Sequence, residues 1–259
     1  MLTASRMAII TLTTDFGTRD GYVGAVKGVL ARLAPADTIV VDLAHDIPRG
    51  DIAHAAWVVA SSTQEFPYGT IHLVVVDPGV GGSRREVIAW SSSQWYVGPD
   101  NGVLAYVADA SYDAWAIEAR TFRGRRVSPT FHGRDLFAHA AAALARGEPA
   151  SNAGPPVRLA GALPWGPRAA GQGRVVHVDQ YGNLITDLPA AEGGEAVSID
   201  GNTLRIVKTY ADVPPNTLLA YVGSMGTIEI AVRDGRADTR LEAPRGTRVV
   251  PVPAAGPYR

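Results

Sequence analysis

A change of text between Gly154 and Gly173 constrains this chain more than any other feature. Pro155, Pro156, Pro164 and Pro167 alternate there with Gly161, Gly166, Gly171 and Gly173, a mixture that interrupts any regular element. Before it, short apolar runs alternate with helical patterns. After it, only short strands and turns remain. The break predicts two domains, 1–168 and 169–259, and a chain of 259 residues is long enough to give each a core of its own.

In the first domain, Met7 to Thr13, Thr38 to Leu43 and Thr70 to Val76 are β-branched, nearly continuous apolar runs. Such runs suit strands covered on both faces. Glu86 to Trp90 and Trp95 to Val97 read as a further pair. Between the runs, Tyr22 to Leu33 places Val23, Val26, Val29, Leu30 and Leu33 on one helical face. Asp51 opens a second helix over Asp51 to Phe66 as a capping residue. Gly102 to Asp109 and Asp135 to Arg146 read as two more. The expectation is an α/β domain with a central, mostly parallel sheet. The second domain reads as six strands, Arg174 to Val178, Asn183 to Asp187, Ala196 to Ile199, Leu204 to Lys208, Leu218 to Val222 and Thr227 to Val232, with Asp200-Gly201 as a strong hairpin signal. An antiparallel sheet or small barrel follows from it, making the fold an α/β domain followed by a smaller all-β, barrel-like one.

Composition removes several function classes. With 24 basic and 25 acidic residues the formal net charge is -1, which argues against nucleic acid as a partner. The absence of cysteine excludes disulfides, thiol nucleophiles and thiolate metal sites. No apolar run approaches the roughly 18 residues of a membrane span. Met1 to Ala8 lacks the layout of a signal peptide, so a cytoplasmic protein is the expectation. Lys27 and Lys208 are the only lysines; with so arginine-rich a basic set, a single arginine is weak support for an anion site.

Ligands of open α/β sheets collect beyond the carboxyl ends of the strands, and three polar clusters fall there. The first is Thr13-Thr14-Asp15-Phe16-Gly17-Thr18-Arg19-Asp20. A carboxylate here can accept hydrogen bonds from a ribose diol, ligate a metal, or simply cap the next helix. The second is Asp77-Pro78-Gly79-Val80-Gly81-Gly82, followed by Ser83, Arg84 and Arg85. It is neither a Walker loop nor a dinucleotide fingerprint. Asp77 closes an apolar run and needs a partner, which Arg84 or Arg85 can supply. The third, Thr130-Phe131-His132-Gly133-Arg134-Asp135, puts His132 in a glycine-containing loop at a helix start. His72 and His177 lie in strand patterns and read as packed residues, and His54 and His139 lie in helices. In the second domain Asp179-Gln180-Tyr181-Gly182-Asn183 and Gly223-Ser224-Met225-Gly226 are the polar loops. Pro99-Asp100-Asn101-Gly102 reads as a turn first and a site second.

In this order, Thr14-Asp15-Phe16-Gly17, Asp77-Pro78-Gly79-Val80-Gly81, Pro99-Asp100-Asn101-Gly102, Phe131-His132-Gly133-Arg134-Asp135, Tyr181-Gly182-Asn183 and Ser224-Met225-Gly226 resemble the S-adenosylmethionine hydroxide adenosyltransferase family. The resemblance runs over about residues 8 to 250. It implies hydrolysis of S-adenosyl-L-methionine to adenosine and L-methionine, with water or hydroxide attacking C5′ of the ribose and the thioether leaving. It implies Asp77, Arg84 and His132 as the catalytic trio. A one-residue slip would exchange Arg84 for Arg85. Asp15 resembles the carboxylate that holds the ribose hydroxyls, and Asp20, Asp179 and Ser224 the groups around the methionine end. Asn183 resembles the adenine reader, and Tyr210 is its stacking candidate. Met225 stands where the halogenating relatives have an arginine. No metal or other cofactor is implied, since the sulfonium leaves without acid or metal. A homotrimer is implied, with sites between one subunit's N-terminal domain and a neighbour's C-terminal domain.

Three alternatives compete. A fluorinase- or chlorinase-like halogenase needs a dry, hydroxyl-lined pocket, whereas these loops present Asp77 and His132. A metallohydrolase would gather Asp15, Asp77 and His132 on a divalent ion. A non-catalytic module would bind adenosine or S-adenosylmethionine without turnover.

Overall fold

The computed structural model describes residues 7–252. They form two compact units, one reaching to Pro164 and one beginning at Trp165. The reading of Met1 to Ala8 lies, except for its last two residues, outside the described residues. Among the described residues no helix is long and apolar enough to cross a membrane.

The first unit contains β1 (Ile9–Thr14), α1 (Tyr22–Leu33), β2 (Ile39–Ala44), α2 (Ile52–Thr63), β3 (Ile71–Val75), β4 (Glu86–Ser91), β5 (Gln94–Pro99), β6 (Asp113–Ala116) and α3 (Ala138–Ala145). The strands form one sheet in the order β2-β1-β3-β5-β4-β6. Side chains alternate across it, as the two-residue period of a strand requires. Leu73, Val75 and Ile88 enter a core with Val26 and Leu30 of α1 and Ala140 of α3. Val74, Val76, Val87 and Ala89 enter a second core with Ala55 and Val59 of α2. Apolar runs without alternation are therefore what a doubly covered sheet demands. Asp51 caps α2, its side chain accepting from the His54 backbone N–H at 3.0 Å.

Two expectations need correction. The sheet is mixed rather than mostly parallel: β1 pairs β2 and β3 in parallel and β3 pairs β5 in parallel, but β4 runs antiparallel to both β5 and β6. The cause is local. Ser92 and Ser93, both at positive φ, join β4 to β5 through a two-residue turn that can only return the chain antiparallel. Gly102 to Asp109 is a series of turns and not a helix, beginning at Gly102 with φ +104, a conformation outside the helical basin. The strand β6 was not foreseen.

The second unit is a closed barrel of β7 (Gly173–Val178), β8 (Leu184–Pro189), β9 (Ala196–Ile199), β10 (Asn202–Val207), β11 (Leu218–Val222), β12 (Thr227–Val232) and β13 (Arg248–Val252), with short helices α4 (Ala190–Gly193) and α5 (Ala237–Leu241). The Asp200-Gly201 hairpin joins β9 to β10, both turn residues at positive φ. The unforeseen β13 bridges β7 and β9 and completes the closure. Alternate residues such as Val175, Leu184, Val197, Leu204, Ile228, Ile230 and Val249 fill the interior.

Candidate active site

Three loops of the first unit converge because glycines let their backbones touch. The loop after β3 runs from Asp77 through Gly81, whose φ is +75 and whose position leaves no room for a side chain: a Cβ would lie 2.5 Å from the Pro129 carbonyl oxygen. This close approach presses the Asp77 loop onto the segment leading to His132. Gly133 is less tightly held: a Cβ there would lie 3.1 Å from the Phe16 ring and 3.3 Å from the Val75 side chain. Phe131 packs edge-on against Phe16 and Tyr22, which are tilted against each other, with centroids 5.4 to 6.0 Å apart, and this ties the Asp15 loop to the His132 loop. The helix expected from Asp135 opens two residues earlier, as a π-helical turn over Gly133–Phe137 that runs into α3.

At the junction Asp77, Arg84 and His132 meet. Arg84 Nε donates to both carboxylate oxygens of Asp77 at 2.9 and 3.0 Å, and Nη2 donates to Asp77 as well. The same Nη2 lies 2.8 Å from His132 Nδ1. A guanidinium has no acceptor, so Nδ1 accepts and the neutral ring carries its proton on Nε2. The side chains of Asp77, Arg84 and His132 are only 4, 9 and 9% exposed. Burial opposes the charge on Arg84, but contacts with Asp77 and Glu86 outweigh it and push its pKa up. His132 is held below the ordinary imidazole range, first by burial and then by the Arg84 charge, against the pull of Glu86 and Asp77. Phe137 covers the guanidinium, its centroid 5.7 Å from Cζ.

The two arginines, which immediately precede β4, turn opposite ways. Arg85 turns to the other side, where it donates to Asp100 at 2.6 Å and to the Arg158 carbonyl at 2.6 Å. Asp100 in turn accepts from the Ala160 and Gly161 backbones, and Asn101 donates to the Val76 carbonyl. The Pro99-to-Gly102 motif is thus a structural clasp. Asp15 accepts from the Gly50 backbone N–H at 2.8 Å. Asp20 is exposed, and neither it nor Asp15 caps α1, whose N-cap is Gly21 without a side-chain bond. His72 is a core residue bonded to Thr11 and Gln94, and burial takes it down to about 4.

The second unit holds the remaining candidates. Asp179 accepts from the backbones of Tyr181 and Asn183 and from the Asn183 amide at 2.8 Å, which fixes that buried amide's orientation. Ser224 lies exposed in the tight Gly223-to-Gly226 loop between β11 and β12. Tyr210 donates to Tyr221 at 2.8 Å, and Tyr221 donates to Glu229. Tyr221 and Glu229 were not singled out from sequence. The legible signal was a glutamate between Ile228 and Ile230 in a strand buried along most of its length. Burial and the Asp179 charge raise the Glu229 pKa, against the Tyr221 hydrogen bond. A Cβ at Gly223 would collide with its carboxylate, so the loop backbone packs directly on this acid.

Known proteins share this arrangement of segments. Residues 10–154 match the SAM hydroxide adenosyltransferase N-terminal domain and residues 173–250 match the C-terminal domain of that family. A protein named (R)-S-adenosyl-L-methionine hydrolase from Thermus thermophilus is 40% identical, over 94% of this chain and 99% of its own. One of the same name from Salinispora tropica is also 40% identical, over 93% and 96%. A crystal structure of an uncharacterized conserved protein from Thermotoga maritima superposes with TM-score 0.82 at 31% identity, covering 93% of this chain and 98% of that one. Fluorinases match at 24 to 28% identity.

Proposed function

The chain belongs to the SAM hydroxide adenosyltransferase family, and on that premise we infer that it hydrolyses S-adenosyl-L-methionine to adenosine and L-methionine. The observation that carries the mechanism is the buried contact of Arg84 with both Asp77 and His132. Water attacks C5′ of the ribose; the O–C5′ bond forms as the C5′–S bond breaks, and the electron pair leaves with the neutral thioether sulfur. The sulfonium is already a good leaving group, so the enzyme's task is to hold a weak nucleophile in line. His132 Nε2–H is a donor suited to an oxygen with developing or full hydroxide character. Asp77 and Arg84 fix the ring that presents it. The water's proton departs to solvent in the balance, since adenosine and zwitterionic methionine carry no net charge.

The binding roles belong to the same proposal: Asp15 for the ribose hydroxyls, Asn183 with Tyr210 for adenine, and Asp20, Asp179 and Ser224 for the methionine end. Asn183 suits its role best, because Asp179 holds its amide in one orientation. A metal-independent reaction, a homotrimer and a cytoplasmic location extend the proposal, resting on the family resemblance and the absence of cysteine. A divalent ion would have to take the lone pairs of Asp77 and His132 that Arg84 occupies. A halogenase is disfavoured by the same ionised cluster, which repels halide and keeps water.

The test is direct. Purified protein incubated with each sulfonium epimer of S-adenosyl-L-methionine should release adenosine and methionine in equal amounts, with the (R) epimer as the better substrate. Chelator should not slow the reaction. Failure to release adenosine in water, or 5′-halogenated nucleoside as the main product with halide present, overturns the reading. Light scattering that gives a monomer would remove the homotrimer alone.

A further inference from the structure

Glu86 opens β4 two residues after Arg84, and its side chain lies on the same side of the chain as the Arg84 guanidinium. There its Oε1 accepts from Arg84 Nη1 at 2.8 Å and lies 3.2 Å from His132 Nδ1. Its side chain is 20% exposed, so it sits at the edge of the buried cluster. Counting donors shows what it adds. Nε and Nη2 of Arg84 are committed to Asp77 and His132. Nη1 has Glu86 as its acceptor, leaving a single guanidinium N–H over. Asp77 grips one edge of the fork; Glu86 grips the opposite corner and stops the guanidinium from swinging on its Asp77 hinge.

The charge count points the same way. Two carboxylates face one guanidinium, so the cluster carries one net negative charge with the His132 ring neutral and none with it protonated. Neutral, Nδ1 accepts from Arg84. Protonated, Nδ1–H has Glu86 Oε1 at hand as an acceptor, and the Arg84 contact must open. The charged groups facing the ring are Arg84, Glu86, Asp77 and Arg123.

We propose that Glu86 is a positioning residue of this site: it clamps Arg84 Nη1 so that Nη2 is aimed at His132, and its charge sets how readily that ring changes protonation state. The proposal rests on the hydrolase reading. Wild-type protein that forms no adenosine defeats that reading, whereas the comparisons below defeat only the role of Glu86.

The experiment measures kcat and KM against pH for wild type, Glu86→Gln, Glu86→Asp and Glu86→Ala, with thermal melts of all four. Glu86→Gln keeps an oxygen acceptor for Nη1 but removes the charge. It should retain kcat within a few fold at neutral pH while the acid limb of kcat moves to lower pH by about half a unit or more, because one of the forces favouring the imidazolium is gone. Glu86→Ala loses the clamp as well and should lower kcat about 10- to 100-fold with KM changed less than about threefold. Glu86→Asp should recover less than Glu86→Gln, since the shorter arm cannot reach both partners. Superimposable pH profiles for wild type and Glu86→Gln overturn the proposal. So does a loss seen in the melting temperature and KM alone, which would make Glu86 a residue of the fold. Should Glu86→Ala fail to fold, the displacement of the Glu86→Gln acid limb decides the matter.

Discussion

In the first unit a buried carboxylate, Asp77, lies against a guanidinium; in the second, a buried carboxyl, Glu229, lies against a phenol. Both sit beside glycines so tightly packed that a methyl group would collide with neighbouring atoms. The difference is the partner. Arg84 is held cationic by Asp77 and Glu86, so the first cluster stores fixed charge among buried side chains, where it acts strongly on a nearby reacting atom. Glu229 receives a neutral donor, and burial drives it toward its protonated form. Tyr221 is likewise pushed up, by burial and then by its contact with Glu229. An acid–phenol chain ending at Tyr210, its carboxyl pushed toward the protonated form, gives shape and hydrogen bonding with no fixed cation. The first arrangement suits chemistry, the second recognition.

The largest test of this contrast is Arg84→Ala, which strands Asp77 and Glu86 without their cation. We expect kcat to fall by about 10²- to 10³-fold and stability to drop by about 3–5 kcal/mol, as when one partner of a buried pair is removed. Steady-state kinetics and urea unfolding read both. His132→Ala should match the kinetic loss with little of the stability loss; equal loss of binding and turnover would break the assignment. Gly81→Ala comes next. Its Cβ would sit 2.5 Å from the Pro129 oxygen, so the two loops must part. A displacement approaching 1 Å costs on the order of 10²-fold in turnover, with the barrel unaffected.

Smaller effects come from the second unit. Tyr221→Phe removes the link between Tyr210 and Glu229 and should raise KM several fold, about 1 kcal/mol, with kcat preserved. A fall in kcat instead would blur the contrast drawn above. The smallest effect is expected of Glu229→Gln. A carboxyl whose pKa is raised by folding stabilises the native state below its unfolded value and ceases to do so as pH rises through the folded value. The variant should therefore melt no higher than wild type near pH 4 and a few degrees higher near pH 8. A difference independent of pH would show that Glu229 folds without a raised pKa.

Much of the fold is legible in local text. The strands β9, β11 and β12 coincide with their apolar runs, Asp51 caps α2, and Asp200-Gly201 turns β9 into β10. What escaped depends on distant partners. The strand β13 contains Pro251 and gains its strand character only by closing the barrel. Gly102 leaves the helical basin because the segment at Ala162 packs against it. Glu86 and Glu229 look like ordinary strand residues until their neighbours are in place.

Most local order was settled by the sequence itself: two-residue and helical periods are properties of neighbouring side chains, and outside Gly102 to Asp109, β6 and β13 they mark which segments become strands and helices. The break around Gly154 to Gly173 belongs to the same level. Tertiary structure decided which of two adjacent arginines joins His132, a residue 48 positions from Arg84. Arg84 and Arg85 turn to opposite sides of the chain, and the packing of the Asp77 loop on the Pro129 segment brings the histidine to the Arg84 side. A carboxylate's surroundings, and with them its charge, are likewise assembled from segments far apart in sequence. Electrostatic energy depends on distance in space and on burial, and neither is written in a linear text.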